Sequence, residues 1–348
     1  MSDLSAKNKK NILLALAVTA VVCAFGAMLS PLMAVVFYLG MMLCIGVVFA
    51  AEERTAVSYG SVLFSVAAIG ACALLLLKLG LSVNTSLSSA IFAVSGVFAA
   101  VTTMLAYKHK ARNVTVMVTG AVVLVAMWAG SFCLLVYEAC GGVSGELIAE
   151  YFGKMYSEAV ELMATMPQMD DKMLNLLRGQ QQAYITSVCR MILGFSIAAA
   201  EVVVFLLILC MRKIFEKLGH MPNFESLLEF RMDRVGAVVF IVTSLMSFFQ
   251  IGYMLDFVTY TVYLALTVPF SLAGIGAANA LLSAFGMKKG WRIALIILLL
   301  SSMCMGVLSF VGAWDSFVDY RGKLKAYKSR KYSEDENKED REDDTDLK

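Results

Sequence analysis

Nine stretches of about twenty or more residues, nearly free of charge, run along the chain at residues 11–30, 31–51, 56–77, 86–107, 114–136, 185–211, 235–255, 258–287 and 293–313. A helix rises about 1.5 Å per residue, so about 20 residues match a hydrocarbon core roughly 30 Å thick. A helix also pairs its backbone amides within the segment, which lipid demands. This repetition excludes an ordinary soluble domain and predicts an all-α fold: a polytopic membrane helix bundle of eight or nine transmembrane helices. Composition agrees, with 59% hydrophobic and 16% charged residues, against about 45–50% and 25% in soluble domains. The eighth stretch is long enough to be tilted or broken, and Pro269 with Gly274 and Gly276 offers the place.

Lysine and arginine gather in alternate connections, and cytoplasmic connections are those that retain positive charge. Lys7, Lys9 and Lys10 precede the first stretch, Arg54 follows the second, and Lys108, Lys110 and Arg112 follow the fourth. Arg212, Lys213, Lys217, Arg231 and Arg234 follow the sixth, and Lys288, Lys289 and Arg292 the eighth. This pattern places the N-terminus in the cytoplasm and the acidic loop at residues 138–184 outside. Helical periodicity over residues 145–166 and 170–190 predicts two amphipathic helices in that loop, serving as a lid or as a structural cap. Nine crossings would put the tail outside, yet Arg321, Lys323, Lys325, Lys328, Arg330 and Lys331 open it. Either the charge rule fails there, or one stretch is re-entrant or interfacial, the eighth and the first pair being the candidates.

The organisation that follows is a cytoplasmic N-terminus (1–10), a five-span half (11–137), an extracytoplasmic helical loop (138–184), further spans (185–313) with a cytoplasmic loop at 212–234, and a charged tail (314–348). The first stretch resembles the apolar part of a signal peptide, but the second follows at once, so it reads as a retained anchor. The 217–234 segment reads as an interfacial helix and the tail as a solvated polyampholyte. Cys140 and Cys189 flank the external loop, and a disulfide between them would close it in an oxidising compartment.

Catalytic constellations are sparse. His109 and His220 lie in different connections, and there is no H-E-x-x-H, no C-x-x-C pair and no glycine-rich phosphate loop. The expectation is no enzyme, no metal and no cofactor, and a net charge of +2 implies no nucleic-acid partner. One acid does stand out. Glu201 sits near the middle of the sixth stretch, where an ionised carboxylate costs several kcal/mol unless neutralised, paired or hydrated. It reads either as a polar or proton-responsive site inside the bundle or as a carboxyl bonded to a neighbouring helix. Arg190 lies about 16 Å away on the same helix face, a gap that a ligand or water file would span. Gln250 and Asn279 are weaker candidates for the same site, since amides often just join helices; the glycines before Asn279 suit either a broken span of the transporter kind or close helix packing. Ala15, Thr19, Cys23 and Ala27 form a row of small residues that suits close helix packing or a partner-docking face.

Two passages go beyond composition. The segments KLGHMPNFESLLEFRMDR (217–234) and GAWDSFVDYRGK (312–323) resemble those of the YybS-like family of predicted bacterial membrane proteins, a domain of unknown function. In the second, Gly312, Asp315, Asp319 and Arg321 match the family's closing run, in which the charged members would pair at the membrane surface and end the last helix. The resemblance covers residues 8 to 325 and implies a multi-pass protein of the bacterial cytoplasmic membrane. The family's helices look distantly like the substrate-binding subunits of energy-coupling-factor transporters, which dock on a coupling subunit and its ATPases through small-residue faces. The expected function is therefore a transporter, or its substrate-binding component, for a small molecule or ion. The competing expectation is a non-transporting membrane scaffold or signalling partner.

Overall fold

The computed structural model describes residues 18, 39–44, 46, 55–109, 111–166, 170–218, 230–249, 251–299, 305–324 and 326. The Ala15, Thr19, Cys23 and Ala27 row, Gln250, the centre of the 217–234 segment and the tail beyond 326 lie outside the described residues. Among the described residues there is no strand, as an all-α membrane bundle requires.

The chain divides into two units, the first comprising Met1–Phe224 with Ile251–Thr261. Its helices are α1 (Thr55–Lys78), α2 (Val83–Lys108), α3 (Asn113–Cys140), α4 (Gly145–Ala164) and α5 (Asp171–Leu218). Antiparallel pairing of α2 and α3 is fixed by polar and aromatic rungs. The Thr85 hydroxyl donates to Glu138 at 2.8 Å, the Ser88 and Ser131 hydroxyls lie 2.8 Å apart, and the Phe92 and Trp128 rings stack at 6.0 Å. Hydrocarbon gives apolar side chains no reason to cluster, so small residues that permit close approach take over the seam. Ala93, Ser95, Ala99, Ala100 and Thr103 of α2 are all buried.

Gly141, at φ +76°, ends α3 by donating its N–H to the Tyr137 carbonyl, the left-handed stop that glycine adopts without a Cβ penalty. Ser144 then caps α4, accepting from the Leu147 N–H at 3.2 Å. Rings of Phe132, Tyr151 and Phe152 join α4 to α3, while Tyr156 donates to the Leu177 carbonyl of α5 at 2.8 Å. The first amphipathic helix of the acidic loop is therefore present. The second is not a separate element: α5 runs unbroken for 48 residues, about 72 Å, from the loop through the sixth apolar stretch. The polarity change near residue 185 marks where lipid begins, and nothing in the backbone there, neither Pro nor an αL residue, stops a helix. Cys140 and Cys189 are free thiols, so the disulfide is absent.

The second unit comprises Glu225–Gln250 and Val262–Lys348. It holds α6 (Arg234–Met246), most of α7 (Tyr253–Ala284), α8 (Lys289–Leu299) and α9 (Met305–Val318). Asp233 caps α6 by accepting from the Gly236 N–H at 3.1 Å. Phe240 is fully buried between Phe270 and Phe310, at ring distances of 5.1 and 5.4 Å, with Ala237 and Ala313 beside them. The seventh stretch forms only a 13-residue helix, about 20 Å long, before the chain turns at 247–249.

Of the two readings of the eighth stretch, tilted or broken, the break does not occur: α7 continues through Pro269, Gly274 and Gly276. The glycines serve contact instead. A Cβ on Gly274 would run into the Leu308 carbonyl, and one on Gly312 into the Phe270 carbonyl. The two backbones therefore meet at a reciprocal glycine crossing, flanked by Ser271 and Ser309 hydroxyls 2.7 Å apart.

Candidate functional site

Glu201 lies on the stripe of α5 that also carries Val204, Ile208 and Met211, all buried. Its side chain is 4% exposed, and its Oε2 is sealed from solvent without a hydrogen-bond partner. Val204, one turn on, packs over Gly120 of α3, whose missing side chain leaves room for it. A Cβ there would come within 2.9 Å of both Val204 Cγ2 and Thr103 Oγ1. The Thr103 hydroxyl is itself buried and unbonded. Glu201 Oε2 and Thr103 Oγ1 are thus both buried without a hydrogen-bond partner, and both residues neighbour the Gly120–Val204 contact, Thr103 directly and Glu201 one turn before Val204 on α5. A carboxyl accepts when ionised and donates when protonated, so Glu201 could bond a polar visitor of either kind.

Arg190 does not serve that visitor. Its guanidinium is 3.6 Å from the Asp256 carboxylate, which is 4% exposed and also accepts the Ile251 N–H at 3.1 Å. Sequence reasoning missed Asp256 because it falls where one apolar stretch gives way to the next and so reads as a connection. Its place in the first turn of a helix otherwise apolar was the available signal. Thr103 carried no signal, since a threonine in a span ordinarily bonds back to its own helix. Asn279 belongs to the second unit, where its Oδ1 accepts a long 3.5 Å bond from Arg292. Gln250 lies outside the described residues. Of the three that the structure describes, Arg190 is drawn off by Asp256 and Asn279 by Arg292, although Arg190 Nε, like Glu201 Oε2, is buried without a hydrogen-bond partner.

The residues closing α9 do come together. The Arg321 guanidinium donates through Nε to Asp315 Oδ2 at 2.8 Å and through Nη2 to the Phe230 carbonyl at 3.0 Å, with both charged side chains almost fully buried. Asp319, at φ +50°, stops α9, accepts from the Gly322 N–H at 3.1 Å and pairs with Arg231 at 2.8 Å. Gly312 makes the close crossing with α7. The run is therefore a helix stop and a clasp from the end of α9 to the approach of α6.

A family model described as "Predicted membrane protein (DUF2232)" matches residues 64–316, most of the chain. The chain belongs to this family. The YybS-like resemblance accords with it, and no curated protein and no solved structure matches the chain. The family match takes in Thr103, Gly120, Arg190, Glu201, Asp256, Asn279, Gly312 and Asp315. Asp319 and Arg321 lie just beyond it. The membrane character of the family and that of the helices described above agree.

Proposed function

We propose that this chain is a transporter, or the substrate-binding component of one, for a small molecule or ion whose polar group meets Glu201. The supporting observation is the Glu201 carboxyl itself. It is buried in the seam of α2, α3 and α5, and its Oε2 has no partner although the cost of such burial is several kcal/mol. A protein that used this residue only for packing would gain by replacing it with an apolar one of similar volume. The chemistry this reading calls for is recognition rather than bond-breaking, since it rests on a single carboxyl. A membrane coupling subunit and ATPases are the partners that go with this reading, docking on the Ala15, Thr19, Cys23 and Ala27 row.

The test is mass spectrometry of small molecules released on denaturing the purified protein. The wild type is expected to carry a non-lipid compound that Glu201→Ala loses and Glu201→Gln retains more weakly, by about tenfold to a hundredfold. Equal recovery from all three proteins would reject the site.

A further inference from the structure

The direction of each helix in the second unit follows from its contacts. Between α6 and α9 the partners' numbers run in opposite senses: Phe230 meets Arg321, Arg231 meets Asp319, and Phe240 meets Phe310. These two helices are antiparallel. Between α7 and α9 the numbers run in the same sense, at an offset of 38 set by the contact of Ser271 with Ser309. The two glycines keep that offset, since a Cβ on either would press on the amide nitrogen of the other. α7 and α9 are therefore parallel.

The direction of α8 is then fixed by the reach of the chain. At that offset Met305, where α9 begins, is level with Thr267 of α7, and α7 runs on for about 25 Å beyond this level before ending at Ala284. The link from α7 to α8 is a tight turn, in which Gly286 takes φ +73° and the Met287 N–H donates to the Leu282 carbonyl. So α8 starts at the height where α7 stops, and about 25 Å must be regained by Met305. From Leu299, the last residue of α8, to Met305 a fully extended chain covers at most about 21 Å. A level or descending α8 would leave more than that to climb, so α8 ascends beside α7. Arg292 of α8 accordingly reaches back to Asn279 of α7, across the turn.

We infer that α8 and α9 are the two arms of a re-entrant hairpin, and that the ninth apolar stretch enters and leaves the membrane through one face instead of crossing it. Each arm is too short to cross alone, α8 being about 16 Å long and α9 about 21 Å against a core of roughly 30 Å. Charge agrees independently. Lys288, Lys289 and Arg292 stand at the foot of one arm, Arg321 and Lys323 at the foot of the other, and no charged residue lies between Ile293 and Trp314. A single span would carry one of these basic groups to the external side, whereas a hairpin keeps both in the cytoplasm. Eight stretches are left to cross, which brings the tail to the same side as Lys7, Lys9 and Lys10.

The experiment is thiol labelling of the full chain, freed of its eight native cysteines, in sealed vesicles of either orientation. Lys288→Cys and Lys323→Cys, both at exposed positions, are expected to react with a membrane-impermeant maleimide in the same preparation and to stay unmodified in the other. Labelling of the two from opposite sides would overturn the hairpin. Protection of either one in both preparations would do so too, because a hairpin leaves both feet in water. The register beneath the argument has its own check, since Ser271→Cys/Ser309→Cys protein should lose both free thiols to an intramolecular cross-link on oxidation with copper phenanthroline. Two free thiols remaining in folded protein would contradict the parallel packing of α7 and α9, and the hairpin with it.

Discussion

Among the described residues, buried charge divides between side chains held in ion pairs and the Glu201 carboxyl, which is in none of the ion pairs formed there. Asp315 and Arg321 form a sealed pair whose Oδ2 takes two guanidinium contacts, and removing one member leaves the other charged in the interior. Arg321→Met is therefore expected to lower unfolding stability in detergent by about 3–5 kcal/mol, while the double change Asp315→Leu/Arg321→Met restores most of that loss. Chemical denaturation of the three proteins checks this, and additive losses would show that the pair does not interact. Glu201 was legible from the sequence because an acid in an apolar run is rare and costly. The partner of Arg190 was not, since an ion pair between residues 190 and 256 depends on which helices adjoin, and spacing along one helix cannot show that. The pairing within the closing run was partly legible. Its members were expected to pair among themselves, and the 315–321 pair does, whereas Asp319 turns instead to Arg231.

Among the elements, hydropathy located the apolar stretches well and their ends poorly. It reports where lipid begins, whereas a helix ends where a backbone conformation or a cap stops it. Hence α5 passes through the polarity boundary at residue 185, and α6 ends well short of its stretch. Glycines in the eighth stretch suited either a broken span or close helix packing, and sequence alone does not choose between them. In α7 the packing reading holds, since Gly274 and Gly312 each face a carbonyl of the other helix. Gly312→Leu should accordingly lower the melting temperature sharply, as no rotamer relieves a clash between Cβ and backbone, while Gly290→Leu, at an open position, should change it little. Similar melting of the two variants would contradict the crossing. The clasp also bears on topology. Arg231 and Asp319 touch, so the tail leaves α9 at the end of the second unit where the basic 212–234 connection enters. Cysteines placed singly at Lys328 and Glu158 in cysteine-free protein are expected to react with a membrane-impermeant thiol reagent from opposite sides of the membrane. Labelling from the same side would overturn that placement.

At the scale of the whole molecule, a chain with 16% charged residues keeps a carboxyl inside its first helical unit and ties the second with an ion clasp and a glycine crossing. Membrane residence was written in the composition, and family membership follows from a match over most of the chain. The function rests on a narrower point, that a polar species reaches Glu201. Substituted-cysteine accessibility tests it without knowledge of the substrate. In a protein whose eight native cysteines are replaced, Glu201→Cys should be modified by a small charged methanethiosulfonate reagent, and Val204→Cys, packed over Gly120, should react far more slowly. If Glu201→Cys proves as inert as Val204→Cys in folded protein, no polar path leads to that carboxyl and the transport reading fails.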